Sequence, residues 1–379
     1  MQTLSLNKNS ILEIKQKVDN LDNNLFTHYN FPNIPIYDDT ISIVMTSSNR
    51  SKQVYYTLKK IQMASFKNIH VIIVDDSNID PINKELINEF PFYIDLIYIR
   101  TENKNWINPV VNYNIGFKFI KGSKVVIQNS EVCHVGDVLG WISKYLSDNN
   151  YYSFDVRAVN SFESNEEIYK INNLTTDIYS RNSIFSQGIW YHGQYNITNY
   201  HFLTALTTNT FKMINNFSYD YSFGTDWDDN DFLLKIKSKN INVINLFHNE
   251  YNLGGIHLFH TSSYLKWKGI ENNSEIFYIK LQEFNNNKIY IDFIEKINLN
   301  FLNTKKIYIT SKTNLLYIQN QILKMNSINI FLIFDKNKIT KNMNSFRKCI
   351  LKGYCYKNSG IKLPSTITIK ILYEKINNE

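Results

Sequence analysis

The stretch HVIIVDDSN, residues 70–78, decides the fold class that the sequence predicts. Its four consecutive Val and Ile residues form a short apolar run, which is typical of a parallel strand buried on both faces. The run stops abruptly at two carboxylates, Asp75 and Asp76. Two such charges do not stabilise a core, so we expect them to lie in a crevice at the end of the strand.

Similar apolar runs stand on both sides of this stretch and alternate with helical patterns. The predicted strands include ISIVMT (41–46), IDLIYIR (94–100) and SKVVIQNSE (123–131). The predicted helices are Val54–Ala64, INKELINEF (82–90) and VVNYNIGFKFIKG (110–122). Strands and helices that alternate at the spacing of βαβ units predict an α/β fold with a doubly wound parallel sheet.

Polar residues follow three of these predicted strands. Ligands of open α/β sheets bind at the carboxyl ends of the strands, so these residues are the first candidates for a site. They are Thr46, Ser48, Asn49 and Arg50, then Asp75 and Asp76, and then Gln128, Asn129, Ser130 and Glu131.

Composition and charge exclude several classes of protein. Of the 379 residues, 43% are hydrophobic and 15% aromatic, which excludes wholesale disorder. The net charge of +7 is spread thinly and contains no dense Lys/Arg run, so no nucleic-acid partner is expected. A soluble, cytoplasmic protein is predicted, because the three cysteines lack metal-type spacing. The sequence also shows no signal-peptide pattern and no long apolar stretch.

The chain is predicted to have three parts. Residues 1–38 resemble a leader, with a short helix around Ile11–Leu21 and an extended connector, NFPNIPIYDD. Residues 39–285 form the main domain. Residues 286–379 form a small α/β unit in which no catalytic motif is visible. Its predicted elements are strands KKIYITSK, INIFLIF and TITIKIL and a helix LLYIQNQILKM. Acceptor binding, dimerisation and covering of the sheet edge remain open as its role.

The segment DWDDNDF, residues 226–232, places four aspartates immediately before an apolar helical pattern. Carboxylates at a helix start can cap it and interact with its positive end. Crowded like charges also raise a pKa, which suits a general base. Both interpretations remain open from the residues alone.

Two further segments carry residues that bind metal ions in other proteins. Glu131 lies just past a buried strand in QNSEVCH, where it is either a solvated loop residue or a ligand for a divalent cation. His257 and His260 stand at i, i+3 in GGIHLFH, so that both could face one ion on a loop or helical turn. Either histidine could equally be structural.

Taken in order, these segments resemble family 2 glycosyltransferases of the GT-A fold, over about residues 40–265. ISIVMTSSNR resembles the opening strand and nucleotide loop of that family, and HVIIVDDSNID its uridine-binding strand. VVNYNIGFKFIKG and VVIQNSE are similar to its helix and metal motif. The segments GIWYHGQYN (188–196) and YHFLTALTTNTFKMINNFSYDYSFGTDWDDNDFLLKI (200–236) resemble its acceptor side and acidic motif. NWINPVVNYN and IQNSEVCHVGDVL are especially similar to a subgroup of viral and bacterial members.

The resemblance implies an inverting, metal-dependent transfer of a sugar from a UDP-sugar to a hydroxyl of a glycan or glycoconjugate. It implies roles for these residues: nucleotide binding by Thr46, Ser48, Asp76 and Asn114, Mn²⁺ or Mg²⁺ binding by Glu131 and by His257 or His260, and base catalysis by Asp229 with Asp228 beside it. Trp190 and His192 would contact the acceptor, although these side chains could equally belong to the core.

Two departures from the family pattern leave a second hypothesis open. The expected Asp-x-Asp motif is Asn129-Ser130-Glu131, and the expected Gly-Phe-Asp-Glu turn is Asn216-Phe217-Ser218-Tyr219. A catalytically silent module that binds a nucleotide sugar or a glycan is therefore the alternative. A nucleotidyltransferase is disfavoured, because SSNRSK contains no glycine. The donor sugar, the acceptor and the oligomeric state do not follow from the sequence.

Overall fold

The computed structural model describes residues 2–190, 201–261, 269–287 and 290, and five strands between residues 304 and 374. The chain divides into two compact units, Gln2–Glu295 and Lys296–Glu379.

The larger unit contains twelve described strands. They are β1 (Phe26–Pro32), β2 (Ile41–Ser47), β3 (Ile69–Asp75), β4 (Tyr93–Ile99), β5 (Lys124–Asn129), β6 (Val132–Val135), β7 (Asn150–Phe154), β8 (Val156–Val159), β9 (Phe185–Trp190), β10 (Leu203–Thr207), β11 (Asn242–Leu246) and β12 (Gly254–His257).

Ten α-helices are described in the same unit. They are α1 (Gln2–Asp19), α2 (Ser51–Ile61), α3 (Lys84–Ile87), α4 (Val110–Phe117), α5 (Val138–Tyr145), α6 (Phe162–Lys170), α7 (Thr208–Ile214), α8 (Asp228–Ser238), α9 (His248–Tyr251) and α10 (Ile270–Asn287).

The main sheet has eight strands in the order β1-β4-β3-β2-β5-β10-β7-β11. The central strands β4, β3, β2 and β5 run parallel, as the apolar runs predicted. Strand β1 is antiparallel to β4 at one edge, and β10 is antiparallel to both β5 and β7. The α/β sheet is therefore confirmed, and the antiparallel strands β1 and β10 make it mixed, where the alternating pattern alone predicted parallel strands.

Helices cover both faces of this sheet, since alternate residues of each central strand enter two different cores. In β2, Val44 packs into a core with α1, α4, α8 and α10. Ile43 and Met45 pack into the opposite core with α2, α3 and α5. Burial on both faces explains why these strands consist almost wholly of Ile and Val.

A second sheet, in the order β6-β12-β8-β9, brings distant segments to the end of β5. Strand β12 pairs antiparallel with β6, which places His257 opposite Val132. The segment GGIHLFH is thus a strand followed by a loop, and the prediction of a loop or helical turn misses its first half. The two histidines approach the end of β5 because β12 pairs with the strand that directly follows it.

Residues 1–38 differ in structure from the predicted leader. Helix α1 begins at Gln2 instead of near Ile11, and Ile14 and Val18 are buried in the main core. Part of the predicted connector lies in β1, which extends the sheet beyond β4. Residues 2–38 belong to the same compact unit as the sheet.

Helix α3 is much shorter than the pattern INKELINEF predicts. Asn83 caps its start by accepting hydrogen bonds from the backbone of Glu85 and Leu86. The helix ends at Ile87, because the chain then turns to place Phe90 and Phe92 in the core, where their rings stack at 5.8 Å.

The smaller unit contains a parallel sheet in the order β13 (Thr304–Ile309), β14 (Asn329–Asp335), β17 (Thr368–Glu374). A separate antiparallel pair joins β15 (Tyr354–Cys355) and β16 (Asn358–Lys362). The helix predicted at residues 315–325 lies outside the described residues. Among the described helices of the whole chain, none is both long and apolar enough to cross a lipid bilayer.

Candidate active site

The carboxyl ends of β2, β3 and β5 lie side by side at one edge of the main sheet. Ser47 is in register with Asp75, and Thr46 with Asn129. The backbone amide of Asp76 donates to the carbonyl of Ser47 at 2.9 Å, which continues the pairing one residue further. The strand-end residues predicted from the sequence therefore gather at a common edge.

Asp75 and Asp76 have different surroundings. The Asp75 carboxylate is buried, and it accepts hydrogen bonds from the Ser77 hydroxyl at 2.5 Å and the Ile82 backbone amide at 2.9 Å. Burial raises its pKa to about 6, although these hydrogen bonds oppose the shift. Asp75 therefore shapes the loop after β3.

One carboxylate oxygen of Asp76 accepts hydrogen bonds, and the other has no donor among the described residues. Its Oδ2 accepts from the Asn112 amide at 2.8 Å and from the Lys104 ammonium. Its Oδ1 is buried and has no hydrogen-bond partner within the described part of the chain. A buried acceptor without a donor is unfavourable, so Oδ1 is suited to accept an N–H or O–H from a ligand.

The three predicted metal ligands lie together. Glu131, His257 and His260 each offer one ligand atom, and these atoms are all within 4.8 Å of one another. His257 Nε2 is 3.2 Å from Glu131 Oε1, and His260 Nε2 is 3.6 Å from the same oxygen. The backbone amide of Leu258 donates to the Glu131 carbonyl at 2.9 Å, which fixes the histidine segment beside the glutamate.

Glu131 is buried yet strongly favoured as a carboxylate. Burial alone would raise its pKa, but Arg50 and the two histidines outweigh this and hold the pKa well below its usual range. Arg50 Nη1 donates to Oε1 at 2.5 Å, and the Ser130 hydroxyl donates to Oε2 at 2.9 Å. One carboxylate and two imidazoles form a donor set that fits a divalent transition metal such as Mn²⁺ better than Mg²⁺, which prefers oxygen ligands only.

The acidic helix α8 begins after two consecutive residues in left-handed conformation, Asp226 (φ 60°) and Trp227 (φ 71°). Non-glycine residues in this region store conformational energy and persist only where their surroundings hold them. The Asn273 amide of α10 donates to the carbonyls of Thr225 and Asp226 at 3.3 and 3.1 Å, which holds the strained turn.

This turn presents Asp228 and Asp229 towards the sheet edge. The Asn108 amide donates to Asp228 Oδ1 at 3.0 Å. Asp229 Oδ1 lies 3.6 Å from His201 Nε2. Burial first, and then the charges of Asp228 and Asp226, raise the pKa of Asp229. Burial likewise raises the pKa of Asp228, with further increases from Asp226 and Asp231.

Asp231, the fourth aspartate of the cluster, serves a structural purpose. It is buried and accepts from Tyr221 at 3.1 Å, and its Oδ1 lies 3.4 Å from the Lys280 ammonium. Lys280 is fully buried and also pairs with Asp220 at 2.8 Å. This ion network attaches α10 to the start of α8.

One segment, Lys104–Tyr113, binds two of the acidic residues, Asp76 and Asp228, and reaches the strand end beside Glu131. Lys104 and Asn112 bind Asp76, and Asn108 binds Asp228. The Tyr113 hydroxyl donates to the Gln128 carbonyl at 3.0 Å and lies 3.4 Å from Asn129 Oδ1, at the strand end that leads to Glu131. Burial is the main reason that the pKa of Tyr113 is raised, and the charges of Glu131, Asp229 and Asp228 add to it. Glu131, Asp228 and Asp229 therefore all lie close enough to Tyr113 to act on its hydroxyl electrostatically.

The other three residues predicted to bind the nucleotide differ in burial and in their distance from the site. Thr46 is half-buried beside the Tyr113 hydroxyl, and Ser48 is exposed just after β2. Asn114 does not reach the site, because its amide is buried and bonds both ways with the backbone of Phe217, at 3.0 and 2.9 Å.

The acceptor-side residues are only partly described. Trp190 ends β9, opposite Arg157, and His192 lies outside the described residues.

Four residues of the site were not predicted: Lys104, Asn108, Asn112 and His201. The first three lie in or beside NWINPVVNYN, the segment that the resemblance singles out, so that segment was the available signal. His201 stands beside an apolar strand and gave no signal of its own.

Comparison with known proteins finds a family match for part of the chain. Residues 42–213 match the model of glycosyl transferase family 2, whereas no curated protein matches the chain in sequence. The solved structure of S. aureus TarS is similar at 13% identity and a TM-score of 0.43, over 65% of this chain and 40% of TarS. Mannosyltransferase PcManGT from Pyrobaculum calidifontis, solved with GDP-Man and Mn²⁺, is similar at 14% identity and a TM-score of 0.36, over 59% of this chain and 57% of PcManGT.

The chain thus covers 40% of TarS and 57% of PcManGT, which is less than two thirds of either structure. The family match lies within the range of residues 40–265 over which the sequence resembles family 2, and it confirms that resemblance. Residues 42–213 therefore match glycosyl transferase family 2, and they include the central strands of the mixed α/β sheet.

Proposed function

We propose that this protein transfers a sugar from a UDP-sugar to a hydroxyl group of a glycan or glycoconjugate, with inversion at the anomeric carbon and with Mn²⁺ as cofactor. The observation that carries the proposal is that the Lys104–Tyr113 segment binds Asp76 and Asp228, while Tyr113 lies within electrostatic reach of Asp229 and of Glu131, which stands beside His257 and His260. This gathering lies at the carboxyl edge of the sheet, where such folds bind ligands.

The nucleotide would bind against the end of β3. Asp76 Oδ1 supplies a buried acceptor for the N–H of a uracil base, while Lys104 and Asn112 hold the other oxygen in place. A base that offers an N–H to this oxygen fits better than one that offers only acceptors there.

The diphosphate would lie near the end of β5. Glu131, with His257 and His260, would hold the cation, which when bound neutralises the charge that develops on the departing diphosphate. Arg50, at 2.5 Å from Glu131, places a second positive group at the same position.

Asp229 would remove the proton from the acceptor hydroxyl. Its raised pKa brings this carboxylate nearer to the neutral range in which a general base works best. A single base that activates a nucleophile on the face opposite the leaving group gives inversion, so no second carboxylate has to form a covalent intermediate.

Turnover and binding measured together test the proposal. The full chain would be assayed for release of UDP from a panel of UDP-sugars with Mn²⁺, and UDP binding would be measured by calorimetry. Asp229→Asn should lower turnover by about 10²–10⁴-fold and leave UDP affinity nearly unchanged. The control is Asp38→Asn, which removes an exposed aspartate just before β2, at the opposite end of that strand.

Other outcomes separate the alternatives. UDP binding without turnover of any donor would favour the silent nucleotide-sugar module. No UDP binding and no turnover would contradict both hypotheses.

A further inference from the structure

His201 is a buried histidine in contact with the proposed base. It lies just before β10 and is 4% exposed. Its ring packs edge-on against Phe217 and Phe232, with centroids at 5.0 and 4.7 Å. Its Nδ1 forms a hydrogen bond with the Tyr151 hydroxyl, and its Nε2 has no hydrogen-bond partner within the described part of the chain.

The unpartnered nitrogen points to Asp229. Nε2 and Asp229 Oδ1 are 3.6 Å apart, about half an ångström beyond an ordinary hydrogen bond. Hydrogen bonds of this type are often long without substrate and tighten in the reacting complex. The backbone of His201 also lowers the pKa of Asp229, so one residue acts on the base through two groups.

The hydrogen bond between Tyr151 and Nδ1 affects which ring nitrogen of His201 carries the hydrogen. Burial lowers the pKa of His201 to about 3, so the ring is neutral and carries a single N–H. When Asp229 is ionised, as a base must be, a hydrogen on Nδ1 would leave the lone pair of Nε2 facing the carboxylate. With the Tyr151 hydroxyl donating to Nδ1, the hydrogen lies on Nε2 and is directed at Asp229 instead, which electrostatics favours.

Apart from His201, the described side chains that face Asp229 either oppose its ionisation or do not favour it. Asp226 and Asp228 repel a negative charge there. Tyr113 and Tyr151 are buried and neutral, and their own pKa values are raised, chiefly by burial. Among the described side chains that face Asp229, His201 is thus the one that favours the carboxylate, in addition to the positive end of α8, in whose first turn Asp229 lies.

We infer that His201 is a positioning residue, which orients Asp229 and keeps it ionised through Nε2–H, with the tautomer fixed by Tyr151. The inference rests on the proposed function, in which Asp229 is the base. His201 stays neutral and transfers no proton.

A matched pair of variants tests this role. His201→Phe keeps an aromatic ring between Phe217 and Phe232 but removes the N–H. His201→Gln keeps an N–H donor at the position of Nε2. For each variant, kcat/KM for the best UDP-sugar would be measured from pH 5 to pH 9, together with UDP affinity.

The expected result is a shift in the pH profile. Activity falls on the acid side as Asp229 becomes protonated, so loss of the donor should move this limb to higher pH by about one unit in His201→Phe. His201→Gln should recover most of the shift, and UDP affinity should stay within about twofold in both. Tyr151→Phe should give a smaller shift in the same direction. Without the hydroxyl, the hydrogen of the His201 ring is no longer held on Nε2.

An unshifted acid limb in His201→Phe would overturn the inference. Should that variant fail to fold, an unshifted limb in Tyr151→Phe would overturn it equally. Failure of the proposed function is distinguishable, because in that case Asp229→Asn would retain turnover. An inactive Asp229→Asn with an unshifted His201→Phe would reject the positioning role alone.

Discussion

Asn112 donates a hydrogen bond to Asp76 Oδ2 at 2.8 Å, and this contact joins the first turn of α4 to the end of β3. The Trp106 indole donates to the other end of the Asn112 amide at 2.9 Å, so the amide orientation is fixed. As a result, Oδ1 of Asp76 is held in one direction as a vacant acceptor.

Asp76→Asn is expected to weaken UDP binding by roughly 10–100-fold, because a hydrogen bond to a charged group contributes about 1.5–3 kcal/mol. Calorimetry with UDP checks this. The matched control is Asp75→Asn, which alters the neighbouring carboxylate that serves the loop at Ser77 and Ile82. It should lower the melting temperature and leave the UDP affinity of the folded protein nearly unchanged. Equal losses of affinity in both variants would contradict the division of roles.

Glu131→Gln is expected to weaken Mn²⁺ binding by at least about tenfold, since it removes the one anionic donor of the predicted set. The fraction of free Mn²⁺ can be followed by its electron paramagnetic resonance signal. Glu166→Gln is the control, because Glu166 is a half-exposed glutamate paired with Lys52 on α2. Unchanged Mn²⁺ affinity in folded Glu131→Gln would reject the site.

Lys280→Met is expected to lower the free energy of unfolding by about 3–5 kcal/mol, because it removes the buried ammonium that pairs with the carboxylates of Asp220 and Asp231. Urea unfolding measures the loss. Adding Asp220→Asn to the same chain should recover part of it. Lys212→Met, on an exposed position of α7, should change stability by less than about 0.5 kcal/mol. A small loss of stability in Lys280→Met would mean that the ion pairs of Lys280 do not stabilise the fold as proposed.

His134 is expected to make the protein less stable in mild acid. Burial lowers its pKa to about 4, whereas the unfolded chain should titrate near 6.5. The free energy of unfolding should therefore have its full value above about pH 6.5. It should fall as the pH is lowered towards 4, by about 2 kcal/mol between pH 7 and pH 5. His134→Gln cannot titrate and can still bond to Gln128, which His134 Nε2 contacts at 2.8 Å. Its unfolding free energy should depend less on pH over this range, and an identical dependence in both proteins would refute the assignment.

The fold follows from the sequence where the signal is local. The runs at residues 41–46, 70–74 and 94–100 fall in strands to within a residue or two, because an unbroken series of β-branched residues suits a strand buried on both faces. The pattern at residues 82–90 was misleading, since tertiary packing of Phe90 and Phe92 ends α3 after one turn.

The site follows from the sequence only where topology forces residues together. Parallel strands end at a common edge, which is why Asp76 and Glu131 could be placed near each other. The contacts of Lys104 with Asp76 and of Asn108 with Asp228 span 28 and 120 residues, and nothing along the chain encodes such distances. The histidines of GGIHLFH converge through pairing of β12 with β6, not through helical spacing.

The Lys104–Tyr113 segment has a consequence for the evolution of this protein. Because the same ten residues support the nucleotide side, the metal side and the base side, an insertion or deletion within them would disturb all three at once. Paired substitutions there should accordingly show strong epistasis, with double variants losing less than the sum of the single losses. New donor or acceptor preferences would then arise more readily in the loops around this segment than within it.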